Sequence, residues 1–169
     1  GFANNTGNIR ATPGVSFPGQ GPAQNGFMTF DSPQSGVNAQ AGNLAAYVKQ
    51  NPNITVAQAL AKWAPPSENN TGQYISQIAE SSGINPGMPL ADVLKDPGTA
   101  AILLDAQTRL EKGGIPKGVT PDTFTAAAGG QPSQVAIGSA DASGTPQRAP
   151  VPAAPGAQQM PDISPQAQT

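Results

Sequence analysis

DPGTAAILLDAQTRLEKGG, residues 96–114, is the stretch that decides the fold. Asp96-Pro97 is a helix start: a short acidic side chain able to cap, followed by a ring whose fixed φ suits the first turn. Ile102, Leu103, Leu104, Ala106 and Leu110 then cover a broad apolar face, and Gly113-Gly114 supplies the stop. The spacing predicts a helix from about Thr99 to Lys112.

The same signals recur upstream. Asp31-Ser32-Pro33 opens a helix that carries Val37, Ala41, Leu44 and Val48 at helical spacing, with Tyr47 beside them, and Asn51-Pro52 ends it. Gly36 and Gly42 weaken that helix. A second helix runs from about Thr55 through Val56, Leu60 and Trp63 to Pro65-Pro66. Asn70 or Thr71 caps a third, carrying Tyr74, Ile75 and Ile78 up to Ser82-Gly83. Leu90, Val93 and Leu94 make a short helical turn, and Thr120-Pro121 caps a last short helix around Phe124. Residues 1–24 read as loop, because turn formers dominate and the apolar residues fit no period. Phe27–Phe30 reads as a short extended segment before the first cap.

The chain has 169 residues, of which 20 are Gly and 19 Pro; charged residues make up 11% and aromatics 5%. The aromatics lie between Phe2 and Phe124. From Gly129 onward there are seven prolines, five glycines, three charged residues and no aromatic in 41 positions, too little apolar surface to offset the chain entropy of folding. The expected organisation is a mostly α domain over 1–128 and an extended Pro/Ala/Gln-rich tail over 129–169.

Composition also limits the chemistry. With no cysteine and no histidine, disulfide scaffolds, thiolate nucleophiles, Ser-His-Asp catalysis and Cys- or His-ligated metals are excluded, and neither a metal nor a cofactor is expected. Acid–base chemistry falls mainly to ten carboxylates. A net charge of −2 argues against direct nucleic-acid binding through neutralised phosphates. No apolar run is long enough for a membrane span and no signal peptide is visible. The chain begins at Gly1 rather than Met, as a processed chain or a piece of a longer one would.

Three blocks, in order, carry a resemblance: Asn4-Asn5-Thr6-Gly7-Asn8-Ile9-Arg10, Phe27-Met28-Thr29-Phe30-Asp31-Ser32-Pro33, and Trp63-Ala64-Pro65-Pro66-Ser67-Glu68-Asn69-Asn70-Thr71 followed by Tyr74. Leu110-Glu111-Lys112-Gly113 is a fourth. The set resembles a family of bacteriophage virion-associated proteins, carried as structural or lysis proteins, over roughly residues 1–114. The first three blocks also bear a distant resemblance to the lysozyme-like β-N-acetylglucosaminidases of glycoside hydrolase family 73. In those enzymes the catalytic Glu precedes the first block. In the phage family a helix ending in Glu follows the third block, here at Glu111, which implies a circularly permuted lysozyme-like core. The resemblance therefore implies a small lysozyme-like helical domain that cleaves peptidoglycan glycan, as a glycosidase or lytic transglycosylase, when a phage genome enters its host. Its partners would be bacterial peptidoglycan and, through the tail, other virion proteins. Its place would be the virion, acting at the host cell wall or periplasm.

Each candidate residue has a plainer role beside the chemical one. Glu111 lies in the last turn of a helix, on the stripe of Leu104 and Thr108; the negative helix end and partial burial both raise a carboxyl pKa, as a general acid needs. Otherwise it is a solvated glutamate at a frayed end. Glu68, in a Pro-rich turn, would orient a water or merely help cap the next helix. A second carboxylate is not required if the sugar's own N-acetyl group acts as nucleophile. Asn4, Asn5 and Asn8 suit acetamido sugars, and equally suit turns. Arg10 would meet a peptide-stem carboxylate or pair with an acidic neighbour. Trp63 and Tyr74 would stack on sugar or pack in the core, and their stripes favour the core. Thr6 stands where the phage family usually has Pro, Leu110 where a His is expected, and the Arg-Gly start before the Asn pair is missing. Those departures define the rival reading, a structural or ejection protein that kept the fold and lost the activity. A third reading is a wall-binding module that does not cleave.

Overall fold

The computed structural model describes residues 3–66 and 70–129, which form six helices and no sheet. The tail expected over 129–169 lies outside the described residues, except for Gly129, which closes the last helix.

Local chemistry sets the helix boundaries. Helix α1, Pro33–Gln50, starts with Pro at its first position, and the Ser32 hydroxyl accepts from the Ser35 amide. Helix α2, Val56–Trp63, has a reciprocal cap: the Thr55 side chain accepts from the Gln58 amide, and the Gln58 side chain accepts from the Thr55 amide. Asn70 caps α3, Thr71–Ser82, which ends at Gly83 in a left-handed conformation. Helix α4 is Leu90–Lys95. Helix α5, Pro97–Lys112, ends at left-handed Gly113; at its start the Asp96 carboxylate accepts from the Thr99 hydroxyl rather than from a backbone amide. Helix α6, Pro121–Gly129, follows.

Helix α5 packs against α3, α4 and α6, while α1 packs against α6. The core they share includes Trp63, Tyr47, Leu44, Leu60, Ile78 and Leu103. Tyr47 and Trp63 meet edge to face, centroids 6.2 Å apart, a favourable arrangement of ring quadrupoles. Ile102 departs from expectation. It was expected on the apolar face of α5 but stands 49% exposed, while Ala106, Gln107 and Thr108 are buried. The buried arc of α5 is turned toward the polar positions that follow Leu104.

Residues 3–30 lack regular elements, as a loop would, yet much of the segment is interior. Residues 3–30 fold back as an irregular ribbon: the Met28 amide donates to Ile9 O, the Ala11 amide to Gly26 O and the Phe30 amide to Ala3 O, at 2.8–3.0 Å. Isolated antiparallel bridges join Arg10 to Phe27 and Gln20 to Phe30, as the expected extended segment at 27–30 requires. Asn5 through Ile9 are buried. Gly36 explains how the ribbon lies so close to α1: a Cβ there would sit 1.8 Å from Asn4 O. The glycine costs helix propensity but admits the backbone of another segment.

Candidate functional site

Glu111 is the last core-facing position of α5, and it is buried, at 1% exposure. Both carboxylate oxygens are engaged by segments far away in sequence. Asn8 Nδ2 donates to Glu111 Oε1 at 2.8 Å and to the Glu111 carbonyl at 3.1 Å, and the Tyr74 hydroxyl donates to Oε2 at 2.6 Å. Asn8 thus spans the end of α5, satisfying one of its orphan carbonyls as well as the carboxylate. Asn8 holds φ 52, a left-handed conformation that Asn tolerates better than other residues with a Cβ. Lys112 Nζ donates to Asn8 Oδ1 at 2.9 Å, which fixes the amide with its nitrogen toward Glu111.

A chain of buried side chains lies behind Tyr74. Gln107 Nε2 donates to the Tyr74 hydroxyl oxygen at 3.4 Å, and Gln40 Nε2 donates to Gln107 Oε1 at 3.0 Å. Gln40 Oε1 accepts from the hydroxyls of Thr6, at 2.7 Å, and Thr108, at 3.2 Å. Each link has one sense, so the Tyr74 proton is left pointing at Glu111.

Burial lifts the Glu111 pKa from 4.5 to about 7, against the opposing pull of the Tyr74 and Asn8 hydrogen bonds and the Lys112 charge. Burial, with the Glu111 charge second, pushes the Tyr74 hydroxyl well above its ordinary range. Burial also lowers the Lys112 pKa, which the Glu111 charge partly offsets. The carboxyl therefore holds a proton near neutrality. When it releases that proton, two fixed donors face the anion it leaves. A carboxyl held in this way can both keep and release a proton near neutral pH.

The remaining expected residues divide. Asn8, Tyr74 and Glu111 come together. Asn5 sits beside them but spends its amide on the ribbon: Nδ2 donates to Ile9 O and Met28 O, and Oδ1 accepts from the Ile9 amide. Asn4, half-buried, donates to Phe30 O. Arg10 lies over the Phe27 ring, 5.0 Å from its centroid, a cation–π contact. Tyr74 and Trp63 are both core residues: the Trp63 indole donates to Gly7 O, and the Tyr74 ring is wholly enclosed, so it acts through its hydroxyl and presents no face for stacking. Glu68 lies outside the described residues.

Gln40 and Gln107 are not singled out by the sequence, and Thr6, Thr108 and Lys112 carry no site role there. A signal was present: Gln40 falls three residues after Val37 and four before Leu44, and Gln107 four after Leu103, so each puts an amide on an apolar stripe. Buried amides need partners, and these two find each other.

No protein-family model matches the chain. The chain is 30% identical over 90 residues to protein P5 of Pseudoalteromonas phage PM2, an alignment that covers 53% of this chain and 53% of the phage protein. The chain thus spans about half the length of the curated relative it matches. The match supports a phage protein.

Proposed function

We propose that this chain is a virion-borne phage module that cleaves the glycan strands of bacterial peptidoglycan, with Glu111 as the proton donor. One observation carries the reading: a carboxyl with a pKa of about 7 ends α5 with Asn8 and Tyr74 donating to its two oxygens. Protonated Glu111 gives its proton to the glycosidic oxygen as the sugar–oxygen bond breaks, and the Asn8 amide and Tyr74 hydroxyl receive the carboxylate that remains. The sugar's N-acetyl group serves as the internal nucleophile, so one acid suffices; Glu68 orients a water where water completes the reaction. Asn4, Asn5 and Arg10 belong to the ribbon that carries Asn8; Asn4 and Arg10, partly exposed, face the sugar, and Asn5 holds the ribbon in shape from inside. The module acts at the host cell wall or periplasm as the genome enters, held in the particle by virion partners of the 129–169 segment.

A second reading has its own observation. Glu111 is 1% exposed and both its oxygens are already bonded within the protein, which suits a structural or ejection protein in which the carboxyl knits α3, α5 and the ribbon together. Cleavage requires the wall around Glu111 to open to the glycan while Asn8 and Tyr74 keep hold of its carboxyl. Zymography on purified peptidoglycan separates the two, using the full chain and its Glu111→Gln variant. Clearing by the parent alone supports the lytic reading. No clearing by the folded parent supports the structural one, and clearing by both moves the acid elsewhere.

A further inference from the structure

We infer that the cavity between the Asn4–Thr6 ribbon and the turn after α5 is a carboxylate-binding subsite, and that its ligand is an acidic group of the peptidoglycan peptide stem. The source of the carboxylate rests on the proposed function; the site itself rests on the cavity and its charges.

The cavity has a volume of about 270 Å³, and Asn4, Asn5, Thr6, Lys112, Pro116 and Lys117 are among the residues that line it. Two lysines contribute to its wall and no carboxylate does. Their convergence is built by the backbone. Gly113 and Gly114, at φ 75 and 150, reverse the chain after Lys112, so that Lys117 returns to the same wall. Gly118, at φ 87, lies against the start of α1: a Cβ there would come 3.1 Å from Pro33 Cγ. Only glycine combines that conformation with that approach without strain.

Lys112 is the telling member. It is half-buried, and its ammonium donates to a neutral partner, Asn8 Oδ1. Among the described residues no carboxylate lies within ion-pair distance of it. An ammonium has three donors, only one of which is used here, and the Glu111 charge that favours it acts without direct contact and is gone when that carboxyl is protonated; a half-buried cation without a contacting counter-ion is costly. A ligand carboxylate supplies the counter-ion, with Lys117, exposed at the rim, as its second cation. The position also fits the reading above. Lys112 bonds Asn8 and Asn8 bonds Glu111, so the cavity stands one side chain from the proposed acid. A glycan strand presented to Glu111 carries its peptide stem, with free carboxylates, on the sugar next to the scissile bond.

The test is calorimetric titration of the full chain with a disaccharide–peptide muropeptide bearing free stem carboxylates, and with the same muropeptide amidated at those groups. The acid form is expected to bind roughly tenfold tighter, the scale of a charge-assisted contact. Lys117→Gln, at an exposed position, removes most of that preference without weakening the amidated form, and Lys117→Arg retains it. Equal binding of both forms by the parent overturns the subsite while leaving the glycan reading intact. If neither muropeptide binds, acetate and inorganic phosphate are titrated while the Asn4, Asn5 and Lys112 resonances are followed. Shifts confined to these residues with acetate keep the anion site and overturn the peptidoglycan source. No shift with either anion overturns the site itself.

Discussion

Changing Glu111 to Gln alters the pH dependence of stability in a direction that burial dictates. In the unfolded chain the carboxyl titrates near 4.5, and in the fold near about 7. Between those values the native protein holds a proton that the unfolded chain has released, so stability falls as pH rises through the window. The contribution is fully present below the unfolded value and gone above the folded one. Weighting the two titrations gives a loss of about 2.5 kcal/mol between about pH 5 and about pH 8. Glu111→Gln cannot titrate, so the difference between parent and variant isolates this one group from the other carboxylates. Urea unfolding of both proteins across that range measures it. The parent should hold its advantage in acid and lose about 2.5 kcal/mol of it by about pH 8. A parent–variant difference that stays constant refutes the raised pKa. If the difference is constant there but grows as pH rises from about 3 to about 5, Asn8 and Tyr74 favour the anion more than burial opposes it.

Three further substitutions probe the same architecture. Tyr74→Phe removes the donor to Glu111 Oε2, so the Glu111 carboxyl carbon resonance should titrate at higher pH, and chemical unfolding above neutrality should show a loss on the order of 1–3 kcal/mol. Gln107→Leu takes from the buried Gln40 amide nitrogen its shorter bond, leaving it Leu104 O at 3.4 Å, and removes the donor to the Tyr74 oxygen; equilibrium unfolding should show a cost of about 1–3 kcal/mol, while the Tyr74 hydroxyl still donates to Glu111. Gly36→Ala drives a methyl into Asn4 O. The gain in helix propensity, about 0.5–1 kcal/mol, is outweighed by an overpacking cost of about 1–3 kcal/mol, so the melting temperature should fall.

The helices were legible because their ends are local chemistry. Ser32 with Pro33, Thr55, Asn70, Gly83 and Gly113 each act on backbone groups within a few residues, and each marks its helix end in the sequence. The ribbon was not legible in the same way. An Asn-Gly-rich segment reads as turn, yet Asn5 bonds Met28 O and Asn8 bonds Glu111, 103 residues away. Nothing within the segment reveals partners at that distance. Gly36 looked like a weakness of α1 when taken alone, and its use appears only once the Asn4 backbone is laid against it. Ile102 was misjudged because a broad apolar arc does not say which edge faces outward; the buried amide of Gln107 claims the position that an all-apolar stripe assigns elsewhere. Glu111, Asn8 and Tyr74 were each singled out from the sequence, but the pattern of resemblance, not any periodicity, put them on one page.

The central claim is that Glu111 gives a proton to a glycosidic bond, and mass spectrometry of soluble fragments released from purified peptidoglycan addresses it most directly. The account predicts that the full chain releases glycan fragments carrying stem peptides, and that Glu111→Gln releases none while retaining its folded spectrum. Equal release by both proteins, or none from the folded parent, contradicts it.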